Sequence, residues 1–284
     1  MRPAARGREK PSFARDYDRV FRSLTREQLY GDSSVSLEED LLDDLFDSSH
    51  RSDHFLDYYS REGAELAFER YGFFQLLREK GFDPRIAADL THPDEHRLRF
   101  FDGSVSPDNL LIELAVGFRD LRLPSGTRCR MLFINWLLMQ NPRANFSPQR
   151  PPLPGQEHPG LGLFPHFGYL LRLMALRLDC DGLLNHPTGF HNAALYGRFF
   201  HFVEPLVEGR FRALERDLEG LSLAAATAAV NGGRVLDGEG RVFVWEPRSQ
   251  AAPITNRARS WFASSEYRAA VERGCEEWSF RVVS

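Results

Sequence analysis

The stretch that opens at Ser60, "SREGAELAFERYGFFQLLREKG", repeats apolar residues at helical spacing: Ala64, Leu66, Ala67, Phe68, Tyr71, Phe74 and Leu77 share a face. Lys80-Gly81 adds a basic last turn and a C-cap glycine, so the pattern predicts one helix from Ser60 to Gly81. Beyond it the period shortens. "RIAADL", "HRLRFF", "NLLIELAVGFRDLRL" and "RCRMLFINWLLMQ" are alternating or continuous apolar runs bounded by Pro, Gly, Asp and Ser, which predicts successive strands joined by turns. The last run is apolar on both parities, with Met131, Phe133 and Leu137 on one and Leu132, Ile134 and Trp136 on the other. It is expected to be a central strand covered on both faces.

"NPRANFSPQRPPLPGQEHPG" follows, too rich in proline for a helix interior or a strand ladder, and predicts a long loop. The pattern then gives a helix over Leu163 to Leu178 with Pro165 in its first turn, a strand from Asp181, a short helix in "GFHNAALYGR" and a strand in "FFHFVEP". Toward the C-terminus, "VEGRFRALERDLEGLSLAAATAAVNGG" reads as helix up to Gly232-Gly233, "RVLDGEGRVFVWEP" as a hairpin turning at Gly238 and Gly240, and "SSEYRAAVERGCEEW" as a last helix. Near the N-terminus, Ser36 and Glu39 stand at capping-box spacing before Leu37, Leu41, Leu42, Leu45 and Phe46. This acidic amphipathic helix, Ser36 to Ser48, either packs on its own domain or presents a docking face to a basic protein partner. The expected division is residues 1–54 as a flexible basic tail plus that helix, 55–210 as the main domain, and 211–284 as a helical and hairpin extension.

Composition narrows the function classes. With 36 Lys and Arg against 40 Asp and Glu, the chain carries a formal charge of −4, which argues against a nucleic-acid binder. Lysine occurs only at Lys10 and Lys80, an arginine bias that fits a GC-rich bacterial genome. Cys129, Cys180 and Cys275 are odd in number and lie far apart, which disfavours a disulfide scaffold or a zinc ribbon and fits a reducing cytoplasm. The longest apolar run, Met131 to Met139, is too short for a membrane span of about 20 residues. The basic N-terminus has no apolar core of a secretory signal.

Two glycines and a tyrosine hold the candidate chemistry. The loop Glu157-His158-Pro159-Gly160-Leu161-Gly162 runs into the helix that starts near Leu163, and Asn192-Ala193-Ala194-Leu195-Tyr196 precedes the strand of "FFHFVEP". Free N–H groups at a helix start suit an anionic phosphate, and glycine lets the ligand approach the backbone closely. A phenol can act as general acid toward a leaving group. For a general base the candidates are Glu113, Asn135, His186 and His191, histidine needing the least pKa tuning. "THPDEH", with His92 and His96, would join two imidazoles on one face only in a helix, and Pro93 argues for a turn, so no metal site is expected. No Gly-x-Ser-x-Gly elbow is present.

The order of helix, consecutive strands, glycine loop, helix, strand, short helix and strand, with those two motifs, resembles the GNAT superfamily of acyl-CoA-dependent N-acyltransferases. The resemblance covers roughly residues 60 to 205. It implies an α/β fold with a mixed central sheet flanked by helices, and an acetyl or other acyl group moved from acyl-CoA to an amine acceptor. In it Gln156, Gly160, Leu161, Gly162 and Leu163 hold the pyrophosphate, and Asn192 lies near the pantetheine arm. Tyr196 protonates the leaving thiolate, and acyl-CoA sits between the strands near Met139 and Leu184. The family's Gln or Arg position falls on Glu157 unless Gln156 takes it with one extra residue, and Pro159 removes one N–H from the cradle. The alternative is a non-catalytic protein that keeps this fold and works through protein contacts.

Overall fold

The computed structural model describes residues 11–31 and 53–283. The acidic helix expected over Ser36 to Ser48, and the first ten residues of the basic tail, lie outside the described residues. The chain forms α1 (Ala14–Ser23), α2 (Arg26–Tyr30), α3 (Arg61–Arg70) and α4 (Phe73–Glu79). A strand run follows: β1 (Pro84–His92), β2 (Glu95–Asp102), β3 (Leu110–Arg122) and β4 (Arg128–Met139). Helices and strands then alternate as α5 (Phe164–Arg177), β5 (Gly182–Asn185), α6 (Phe190–Tyr196), β6 (His201–Phe202), α7 (Pro205–Asp217) and α8 (Leu223–Asn231). The last elements are β7 (Val235–Asp237), β8 (Gln250–Pro253), α9 (Asn256–Phe262), α10 (Ser265–Glu277) and β9 (Phe280–Val282).

The main sheet has seven strands in the order β1-β2-β3-β4-β5-β8-β6. All its neighbours are antiparallel except β4 and β5, which run parallel because α5 carries the chain back between them. The α/β sheet flanked by helices agrees with the expected fold class. Its membership differs, because β8 comes from the stretch expected to be an extension and is bonded to β5 on one edge and β6 on the other. The line expected at residue 210 falls inside α7. The expected hairpin is a tight turn at Asp237 to Gly240 whose second run makes only an isolated bridge, Leu236 to Val242; β7 takes β9 as its partner instead.

Three other differences have local causes. The helix expected from Ser60 to Gly81 breaks at Gly72, which takes φ +70° and lets α4 turn away from α3. The long helix expected up to Gly232 ends at Asp217 and restarts at Leu223, where the Ser222 side chain caps the Ala225 N–H. Part of the stretch expected to be a flexible basic tail is helical from Ala14 and docked on α5: Phe13 stacks on His166 at 3.9 Å, Tyr17 hydrogen-bonds its Nδ1 at 3.0 Å, and Tyr169 donates to Asp18 at 2.8 Å.

One face of the sheet carries the main core. Phe68 and Phe73 from α3 and α4, Phe100 from β2 and Phe167 from α5 meet there with ring centroids 4.8 to 6.0 Å apart. Burying each such ring contributes about 2–3 kcal/mol. The other face is covered only over β4, β5, β8 and β6, where Trp261 and Tyr267 of α9 and α10 pack on Met131, Leu184 and Ala251. Trp136 lies on that face near the end of β4 and, though expected to be covered, is 49% exposed. Among the described residues no helix is long and apolar enough to cross a membrane.

A single carboxylate fastens the base of the parallel pair. Asp181 is buried and accepts from the Arg130 N–H at 2.9 Å, the Thr255 hydroxyl at 2.7 Å and the Arg257 guanidinium. Burial pushes this carboxyl up, but the hydrogen bonds outweigh it and hold it below the usual carboxylate range. We predict that Asp181→Ala lowers unfolding stability by roughly 2–4 kcal/mol, because three donors to a charged acceptor lose their partner. Urea unfolding followed by circular dichroism measures it; a loss within error would show that the junction is held by packing alone.

Candidate functional site

β4 and β5 share only four rungs, Met131–Gly182 to Ile134–Asn185. Past the fourth rung β4 continues to Met139, still paired with β3, while β5 ends and the chain turns off through residues 186–189 into α6. At this level β4 carries a bulge: the register passes from Val116–Ile134 to Ala115–Trp136, and Asn135 is the extra residue. The ladder between the parallel strands therefore ends here, leaving a gap in pairing, the cleft, along β4 from Asn135 to Met139.

The glycine loop borders that cleft. Asn141 N–H donates to the Pro159 carbonyl at 2.7 Å, so the returning chain runs beside the end of β4. A Cβ placed on Gly160 would lie 3.6 Å from the Met139 carbonyl oxygen. Leu161 and Leu163 are buried in the main core, whereas Gly160 before them and Gly162 between them are exposed. The two leucines anchor the loop. Gly162 takes φ +73°, a conformation that favours glycine. The backbone N–H groups of residues 160 to 164 find no acceptor among the described residues, and α5 begins at the last of them. Backbone N–H groups without an acceptor at the positive end of a helix attract negative charge, and here five consecutive ones stand at the start of a fourteen-residue helix.

Tyr196 stands next to this loop. Its ring lies 5.6 Å from that of Phe164, the first residue of α5, and 5.8 Å from Phe200. Burial pushes its phenol up to about 12, so the hydroxyl keeps its proton across the neutral range. Asn192, partly exposed, precedes it by four residues and therefore lies on the same side of α6. His191, in the first turn of α6, has its Nδ1 buried without a partner, and burial lowers its pKa, so the imidazole is neutral.

The remaining expected residues are placed elsewhere. Glu113 alternates with the buried Ile112 and Leu114, which puts it on the sheet face opposite Tyr196. There it accepts from Arg99 at 2.7 Å and pairs with Arg97 at 3.5 Å, so it does not serve as a base in the same site as Tyr196. Asn135 also turns away from the cleft and donates to Glu95. The Gln156 side chain accepts from the Leu153 N–H at 3.0 Å, which ties it into the proline-rich loop rather than leaving it for a ligand. Glu157 is exposed. His186 contacts Ser249 at 3.3 Å. His92 and Glu95 face each other across the β1–β2 turn, and among the described residues no three metal-ligating side chains converge.

Two polar residues escaped the pattern reading: Asn185 on the last shared rung and Gln250 opposite it on β8, both buried and with no hydrogen bond for either amide. Leaving such atoms unpaired costs about 1–3 kcal/mol each. Sequence spacing has no signal that would join residues so far apart in the chain.

Burial lowers the pKa of His96, His166 and His191. Once unfolded, these imidazoles take up protons near their ordinary value of about 6.5, whereas the folded chain resists doing so. Below that value the unfolded state therefore binds more protons. Stability is expected to fall as pH drops from about 7 to 5, and His191→Gln should flatten the fall. Thermal unfolding across this range tests it; an unchanged midpoint would show that the three rings are not held neutral.

Compared with descriptions of known protein families, with curated proteins and with solved structures, the chain matches none.

Proposed function

We propose that this chain is a GNAT-like N-acyltransferase that moves an acetyl or other acyl group from acyl-CoA to an amine. The observation that carries the reading is the cleft where β4 and β5 part, bordered by five free backbone N–H groups at the start of α5. A pyrophosphate on those amides places the pantetheine arm along the free stretch of β4 toward Ile134 and Asn185. Acyl-CoA supplies the activated thioester; the protein holds and orients it. Tyr196, packed against the first residue of α5, brings a protonated phenol to the same neighbourhood.

The chemistry balances with the groups present. The amine nitrogen forms a bond to the thioester carbonyl carbon, the C–S bond breaks, and its electron pair goes to sulfur. A thiol is more acidic than a phenol pushed to about 12, so Tyr196 acts first as a hydrogen-bond donor to the thiolate. Its proton follows only as solvent returns one to the ring. The proton leaving the amine goes to neutral His191 or to water. The backbone amides stabilise charge without reorganising, because they are fixed by Leu161 and Leu163.

Calorimetric titration with CoA and acetyl-CoA tests the reading. Micromolar binding is expected, weakened at least tenfold by Gly162→Val, which forces a branched residue into a positive φ. Tyr196→Phe should leave affinity within twofold and lower acetyl transfer to a polyamine or amino-sugar panel by tenfold or more. No heat with either ligand overturns the proposal and leaves a binding protein that works through other contacts.

A further inference from the structure

Among the described residues, every buried side-chain nitrogen or oxygen without a hydrogen-bond partner belongs to one of three residues: both amide atoms of Asn185, both of Gln250, and Nδ1 of His191. Asn185 and Gln250 are direct partners across the antiparallel β5–β8 pair, so their side chains leave the same face of the sheet side by side. They are 4% and 0% exposed. On the same rung stand Ile134 of β4 and Phe202 of β6, both apolar. The two amides thus put two NH₂ donors and two carbonyl acceptors into an apolar layer, with no partner for any of them.

Their position is informative. The Ile134–Asn185 rung is the last before β4 and β5 part, and the stretch of β4 beyond it runs to Met139, beside Pro159 and Gly160 of the glycine loop. A ligand anchored by phosphate at residues 160 to 164 and running inward along β4 presents its far end to this rung. In the acyl-CoA reading, on which this inference rests, that end is the acyl group. Plain acetyl or an alkyl chain satisfies none of the four amide atoms. A carboxylate would enter without a cation on the rung to balance it, which is unfavourable in an apolar layer. A neutral group that both donates and accepts matches the pair.

We propose that Asn185 and Gln250 form the end of the acyl subsite and select an acyl group carrying a neutral hydrogen-bonding function, of which a hydroxyacyl group is the simplest.

The test is calorimetry of the full chain with butyryl-CoA and 3-hydroxybutyryl-CoA, which differ by one hydroxyl, and with CoA alone. The hydroxyacyl ester is expected to bind at least tenfold more tightly than butyryl-CoA. Asn185→Leu and Gln250→Met, close in volume to the residues they replace, should each bring that ratio near one. A ratio near one in the unaltered protein overturns the polar subsite, and that measurement needs no variant to fold. A preference that survives both substitutions also overturns it, because the selecting groups then lie elsewhere. Binding of CoA and butyryl-CoA without preference refutes this proposal alone, whereas no binding of CoA or either ester refutes the acyl-CoA reading together with it.

Discussion

Asp181 receives the Arg130 N–H of β4, the Thr255 hydroxyl and the Arg257 guanidinium, while its own carbonyl accepts from Ile254 and Thr255 at the end of β8. One residue therefore ties β4, β5, β8 and the start of α9 at a single point. A parallel pair of four rungs has few ladder bonds of its own, and its neighbours run antiparallel. Fastening one end lets the other end open without unzipping the pair. The strands are held where Asp181 sits, and their pairing ends three residues past Gly182.

The strand-rich middle of the fold was legible because its elements are long and their faces differ. β2 alternates buried and partly exposed positions as a sheet with one packed face demands, β3 carries a long, largely buried apolar run, and α5 announces itself by a long apolar helical run with Pro165 in its first turn. β8 was not legible. "QAAP" has no β-branched residue and ends in proline, which no propensity would make a central strand. It is a strand because β5 and β6 leave a vacancy of one strand width between them, and tertiary pairing overrides local preference. The extension expected after residue 210 failed for the same reason: contact between residues 185 and 250 lies outside any window of local pattern.

The candidate site divides along the same line. Gly160, Gly162 and Tyr196 could be found because a turn before a helix and a short helix before a strand leave local marks. Gln156 was misplaced because its amide closes a local turn on Leu153, a bond that only the fold of the proline-rich loop reveals. Glu113 carried a legible warning. Its neighbours Ile112 and Leu114 face the core, so strand alternation alone places its carboxylate on the other side of the sheet, within reach of Arg97 and Arg99.

Desolvation sets the protonation of both candidate proton carriers. Burial pushes the Tyr196 phenol up to about 12 and moves the His191 imidazole down. In each case it is the charged form that the apolar surroundings penalise, and the two charged forms are of opposite sign. The neutral forms that result are a donor at Tyr196 and an acceptor at His191, present together over the whole neutral range. Acyl transfer from a thioester to an amine needs that combination, since one group must meet a developing thiolate and the other a developing ammonium. No charged partner is required to produce it. Packing of Tyr196 on Phe164 joins α6 to the first turn of α5 and keeps the phenol protonated, while His191 at the start of α6 is held neutral by its own burial, and neither needs a buried ion pair.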